Sequence, residues 1–198
     1  MQEKLTTALA LPPANLIRAT TDEFIKQGRM SGPATPVART SFGMAVRVKD
    51  IPAEGITRAE YISRKFGPRG NTYERVSKVG ETVGIPFAFS NIKVQPNTVN
   101  AHRLLHYAEQ NGKQDAVAEV LFEAYFVNGA NITDVDTLAD VAAKGGLDRA
   151  AAREWLASDA DRDVVVAGDM EARNAGIGGV PFFIFNRAVG VSGAQDPE

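Results

Sequence analysis

Gly176-Ile177-Gly178-Gly179-Val180-Pro181-Phe182-Phe183-Ile184-Phe185 is the stretch on which the reading of this chain turns. Before it the apolar residues recur with helical spacing. After it they run together as in a strand. Val180 to Phe185 is an apolar strand, Asn186-Arg187 a tight turn, and Ala188 to Val191 the hairpin partner. Phe182, Phe183 and Phe185 are most simply sheet core. The glycines at 176 to 179 do not follow a strand and open a helix, so a phosphate-binding loop fails its context test. The tail Ser192 to Glu198 holds turn residues, with Pro197 suited to a first helical position.

Upstream, the middle of the chain is helical. Ala101, Leu104, Leu105 and Ala108 have the spacing of one buried stripe, and Gly112 closes that helix. Ala116 to Phe126 repeats the pattern with Val117, Val120, Leu121, Ala124 and Tyr125, up to Gly129. Asp134 caps a third helix through Leu138, Val141 and Ala142, ended by Gly145-Gly146. Asp148 starts a fourth, holding Trp155 and Leu156. Ser158-Asp159-Ala160-Asp161 reads as a capping box opening a helix to about Ala175.

Further upstream, Thr57 with Glu60 is another capping box, and its helix carries Ala59, Tyr61, Ile62 and Phe66. A second helix is expected from about Asn71 to Val83, with Gly84 as its stop. Ile85 to Phe89 is expected to be extended. Gln2 to Leu11 reads as a short helix ended by Pro12-Pro13. Residues 12–49 show no stable period and stay unassigned, although Ala45 to Val48 suits a short strand.

Composition bounds the function. The chain has 198 residues, 44% hydrophobic and 23% charged, with a net charge of −2 and no block of like charges. No nucleic-acid partner is expected, because phosphate binding needs clustered Lys and Arg. No stretch is long and apolar enough to span a membrane. Met1-Gln2-Glu3-Lys4 lacks the basic-then-apolar form of a secretory leader, so a cytoplasmic location is expected. The cysteine count is zero, which excludes disulfides, thiolate metal sites and thiol nucleophiles within these residues.

Several separated motifs together resemble a known family. Pro96-Asn97-Thr98-Val99-Asn100-Ala101-His102-Arg103-Leu104 opens the helical block. Leu121-Phe122-Glu123-Ala124-Tyr125-Phe126 and Asn131-Ile132 continue it. Gly176 to Phe185 and Val191-Ser192-Gly193-Ala194-Gln195 close it. In order and spacing these resemble the DsbA-like thioredoxin family, in its FrnE-like branch associated with polyketide biosynthesis, over about residues 50–198.

The resemblance implies an α/β, thioredoxin-like fold of DsbA type with an all-helical insertion. Residues 1–90 would form the N-terminal part of the thioredoxin-like domain, 91–175 the helical insertion and 176–198 the C-terminal strand hairpin. Pro181 matches the family's cis-proline, and Val180 would offer backbone hydrogen bonds to an extended peptide by strand addition. Asn97 and His102 would face the same cleft, though Asn97 alone also suits a helix cap. An extended peptide or a small thiol is the implied substrate. No cofactor is implied, and the oligomeric state stays open.

The departures from the family are large. Its first strand and Cys-x-x-Cys helix start have no counterpart here, Gln2 to Leu11 resembles the rest of that first helix, and its last helix is missing beyond Glu198. Thiol–disulfide exchange needs a thiolate, and serine cannot replace it. The expectation is therefore an oxidoreductase homologue with impaired catalysis. The alternatives are a non-catalytic peptide-binding module and a relative of the glutathione-dependent isomerases and transferases. For the latter, Ser41 is the nearest candidate and reads as a loop serine. His102 and His106 lie one helical turn apart, but no third ligand is signalled and Arg103 stands where a zinc-protease helix has glutamate, so no metal site is expected.

Overall fold

The computed structural model describes residues 51–67, 73–82, 84–177, 182–185 and 189–192. The helix read at Gln2 to Leu11, the strand read at Ala45 to Val48, Ser41, Val180, Pro181, the turn at Asn186-Arg187 and the tail after Ser192 lie outside them. Two compact units divide the chain: residues 1–45 with 168–198, and residues 46–167. That division follows spatial compactness. The boundaries at 90/91 and 175/176 follow family layout and are a different quantity.

The unit of residues 46–167 opens with β1 (Ile56–Thr57) and α1 (Arg58–Phe66). Thr57 caps α1, its hydroxyl accepting from the Glu60 amide at 3.2 Å, as the box spacing requires. α2 (Tyr73–Thr82) follows, and then β2 (Val94–Gln95), which pairs antiparallel with β1. Gly55 allows that pairing. Its φ is +83°, and a Cβ there would meet Val94 Cγ1 at 2.6 Å and the Gln95 carbonyl at 2.8 Å. Ile85 to Phe89 forms no strand. The Phe87 and Phe89 rings stack 5.1 Å apart, so this run is ordered by ring packing rather than by a ladder.

The helical block holds α3 (Val99–Gln110), α4 (Gln114–Phe122), a π-helical turn (Glu123–Val127), α5 (Val135–Lys144) and α6 (Arg149–Ala157). The predicted stripes face one another. Ala101, Leu104, Ala108, Val117, Leu121, Leu138, Ala142 and Ala152 are wholly buried. The expected helix at Ala116 to Phe126 widens at its end: the Asn128 amide donates to the Glu123 carbonyl at 3.0 Å, five residues back. Asp134 and Asp148 cap α5 and α6, accepting from the Thr137 amide at 2.8 Å and the Ala151 amide at 2.7 Å. Gly145 permits close helix packing, since a Cβ there would meet Val117 Cγ2 at 2.5 Å.

One capping box does not form. Ser158 ends α6, and its hydroxyl donates back to the Trp155 carbonyl at 2.7 Å and accepts from the Ala160 amide at 3.1 Å. Asp161 adopts a left-handed φ of 56°. Such a residue interrupts helical geometry, so α7 spans Arg162–Asn174 and begins after the predicted box. The division between the two units falls within α7. In the unit that contains residues 168–198, β3 (Phe182–Phe185) and β4 (Val189–Ser192) form an antiparallel hairpin with Phe182 opposite Ser192.

Candidate functional site

Of the four residues expected to bind substrate, Asn97 and His102 are described, and Val180 and Pro181 lie outside the described residues. Both ends of the Asn97 amide are engaged. Nδ2 donates to the Ile51 carbonyl at 2.7 Å, 46 residues earlier, and Oδ1 accepts from the Val99 amide at 3.1 Å. Asn97 therefore satisfies a free donor at the start of α3 and ties that end to the segment before β1. His102 is half-buried, with Nδ1 donating to the Thr98 carbonyl at 2.7 Å, which places the proton on that nitrogen.

His106 is engaged differently. Its Nδ1 donates to Asp161 Oδ2 at 2.6 Å, and Gln110 Nε2 donates to the same oxygen at 3.0 Å. The two histidines thus share a helix face but turn to different partners. Among the described residues no group of three metal-ligating side chains is present.

Between them, Arg103 is not on a solvated face. It is 2% exposed, and all five of its N–H groups have acceptors. Nε donates to the Ala160 carbonyl at 2.8 Å. Nη1 donates to Asn100 Oδ1 at 2.9 Å and the Leu156 carbonyl at 3.2 Å. Nη2 donates to the Trp155 carbonyl at 2.9 Å and the Ser158 carbonyl at 2.6 Å. A cation here meets the free carbonyls and the negative end of α6. Burial, then the charge of Arg162, weakens its hold on its proton. The available signal was its spacing: Arg103 stands four residues after buried Val99.

A second group went unread in the sequence. Arg58, Tyr61, Tyr73 and Tyr125 converge with Phe87, Phe89 and Phe126. These residues are spread over 69 positions (58 to 126) and share no periodicity that a sequence displays.

The model of the DsbA-like thioredoxin domain matches residues 44–198. The chain belongs to the DsbA-like thioredoxin family. Its fold is accordingly the DsbA-like thioredoxin fold, rich in helix with little sheet. A crystal structure described as a probable DsbA oxidoreductase from Streptomyces coelicolor superposes with a TM-score of 0.66 at 27% identity, over 75% of this chain and 66% of that one. The uncharacterised protein YwbO of Bacillus subtilis is 30% identical over 115 residues, 58% of each chain. The DsbA-like chain described here thus spans under two thirds of the length of both relatives.

For a DsbA-like chain, the residue types set a firm chemical limit. With no cysteine in the sequence, the described histidines and tyrosines have no thiol to activate.

Proposed function

We propose that this chain is a DsbA-family homologue of the FrnE-like branch whose own residues do not carry out thiol–disulfide exchange. Family membership and the DsbA-like neighbour support an oxidoreductase ancestry. The absence of cysteine from all 198 residues carries the impairment. Exchange proceeds by thiolate attack on a disulfide sulfur and a mixed disulfide, and no residue here can form either. The FrnE-like assignment rests on the order of the Pro96-Asn97-Thr98, His102-Arg103-Leu104 and Val191-Ser192-Gly193-Ala194-Gln195 motifs. The test is dithiol-dependent insulin reduction with purified protein. Rates equal to the uncatalysed background are expected, and turnover above background overturns the reading.

A second reading is retention of peptide binding. It is favoured by Gly179-Val180-Pro181 standing directly before β3, where a backbone edge would meet an extended peptide. Asn97 and His102 keep a place beside that loop by family analogy alone. Calorimetric titration with unfolded peptides tests it. Binding that is lost in Pro181→Ala is expected, and no binding, or equal binding by the variant, removes the reading.

A further inference from the structure

We infer that Arg58 and Tyr125 are the two donors of a small-anion site that takes a single carboxylate group. The site is independent of the peptide-loop reading. Arg58 opens α1, its amide held by the Lys93 carbonyl at 2.9 Å. Its guanidinium carbon lies 4.3 Å from the Tyr73 ring centre and 5.6 Å from that of Tyr61. Nη1 donates to Gln95 Oε1, while the buried Nε has no hydrogen-bond partner. Among the described residues no carboxylate pairs with Arg58.

Tyr125, in the π-helical turn, is 2% exposed, and its buried hydroxyl also has no partner. The rings connect the two groups: Tyr73 to Phe89 at 4.8 Å, Phe89 to Phe126 at 6.2 Å, and Phe126 to Tyr125 at 4.9 Å. The charge of Arg58 acts on the Tyr125 phenol directly. Buried donors are almost always satisfied, and two left open in one cluster call for an acceptor. A water could accept from both but would leave the guanidinium charge unmatched. A carboxylate accepts from both and neutralises that charge. Burial pushes the Tyr125 pKa up to about 12, so the phenol stays a neutral donor near neutral pH. π-helical turns often mark functional sites, consistent with this placement.

The experiment uses the full chain with sodium acetate as probe and sodium chloride at equal ionic strength as control, read by thermal melting and calorimetric titration at neutral pH. Acetate is expected to raise the melting temperature saturably beyond chloride. Tyr125→Phe and Arg58→Gln are each expected to weaken acetate binding about tenfold or more, the effect of one charge-assisted hydrogen bond. Should Arg58→Gln fail to fold, Tyr125→Phe, which removes one oxygen, decides the matter. Equal effects of acetate and chloride overturn the proposal, as does unchanged binding by Tyr125→Phe. An acetate-insensitive protein destabilised by Tyr125→Phe would hold a water there, and the anion proposal would fail.

Discussion

Arg103 Nη2 donates to the Ser158 carbonyl at 2.6 Å, joining the middle of α3 to the end of α6 across 55 residues of chain. The same guanidinium takes the Trp155, Leu156 and Ala160 carbonyls, so one side chain closes α6 and orders the loop that follows. Arg103→Met should cost about 3 kcal/mol, since it strands buried carbonyls without replacing their donors. Arg103→Lys should fall between, with three donors in place of five. Urea unfolding followed by Trp155 fluorescence measures both, because that indole stacks on Tyr107 at 4.9 Å beside the site. An Arg103→Met midpoint equal to wild type would show that the carbonyls are satisfied some other way.

Tyr125 predicts an alkaline limb of stability. Its phenol titrates at the ordinary 10.0 when unfolded and at about 12 when folded, burial being the main cause. Between those values the folded state holds a proton that the unfolded state has released. Stability is therefore complete below pH 10 and falls as pH rises to about 12, by on the order of 2–3 kcal/mol. Denaturant melts across that range should show the fall, and Tyr125→Phe should flatten it. A variant with the same slope as wild type would move the effect to another group.

The caps at Asp134 and Asp148 should behave as independent supports of α5 and α6. Asp134→Ala and Asp148→Ala should each cost about 1 kcal/mol, and Asp134→Asn only a few tenths, since the amide keeps an acceptor. In Asp134 one oxygen accepts from both the Thr137 amide and the Thr137 hydroxyl, each at 2.8 Å. The double alanine variant should show the sum, because the caps share no partner. Equilibrium unfolding of the set decides it, and a double variant no worse than either single one would contradict independence.

Gly145→Ala tests the approach of α5 to α4. The added methyl would meet Val117 Cγ2 at 2.5 Å and Val117 Cα at 2.9 Å, and backbone cannot yield cheaply there. A loss of about 1–3 kcal/mol is expected. Val117→Ala in the same background should recover part of it by removing the methyl groups of the clash. Failure of the second change to help would place the strain elsewhere.

Asn97→Ala should cost about 2 kcal/mol, more than an ordinary cap, because it removes the tie to the Ile51 carbonyl as well as the bond from the Val99 amide. Asn97→Asp keeps the acceptor and loses the donor. Its loss, read from the same unfolding curves, isolates the Ile51 tie. A loss equal to that of a plain cap would reduce Asn97 to the role its position in the sequence suggested.

Much of the helical block was legible because its signals are local. The stripe at Ala101, Leu104, Leu105 and Ala108 is buried as its period requires, and Thr57, Asp134 and Asp148 accept the amides their spacing selects. Ile85 to Phe89 misled for a physical reason. A short apolar run is extended only if a neighbouring strand accepts it, and here its aromatic rings found each other instead. Ser158 misled because its hydroxyl had two uses nearby and took the end of α6 over the start of α7. The pair β1 and β2, two residues each, carried no pattern long enough to read.

By itself the sequence determined the helix starts, the hairpin order and the absence of any thiol, because periodicity, capping and elemental composition are properties of neighbours or of residue type. Only the tertiary structure decided that Arg103 is buried among carbonyls 52 to 57 positions away, and that Arg58 and Tyr125 stand in one aromatic cluster with unmatched donors. A charged side chain reads as solvated until the chain folds back on it. Its true cost and partners then depend on contacts between distant segments, which no local pattern encodes.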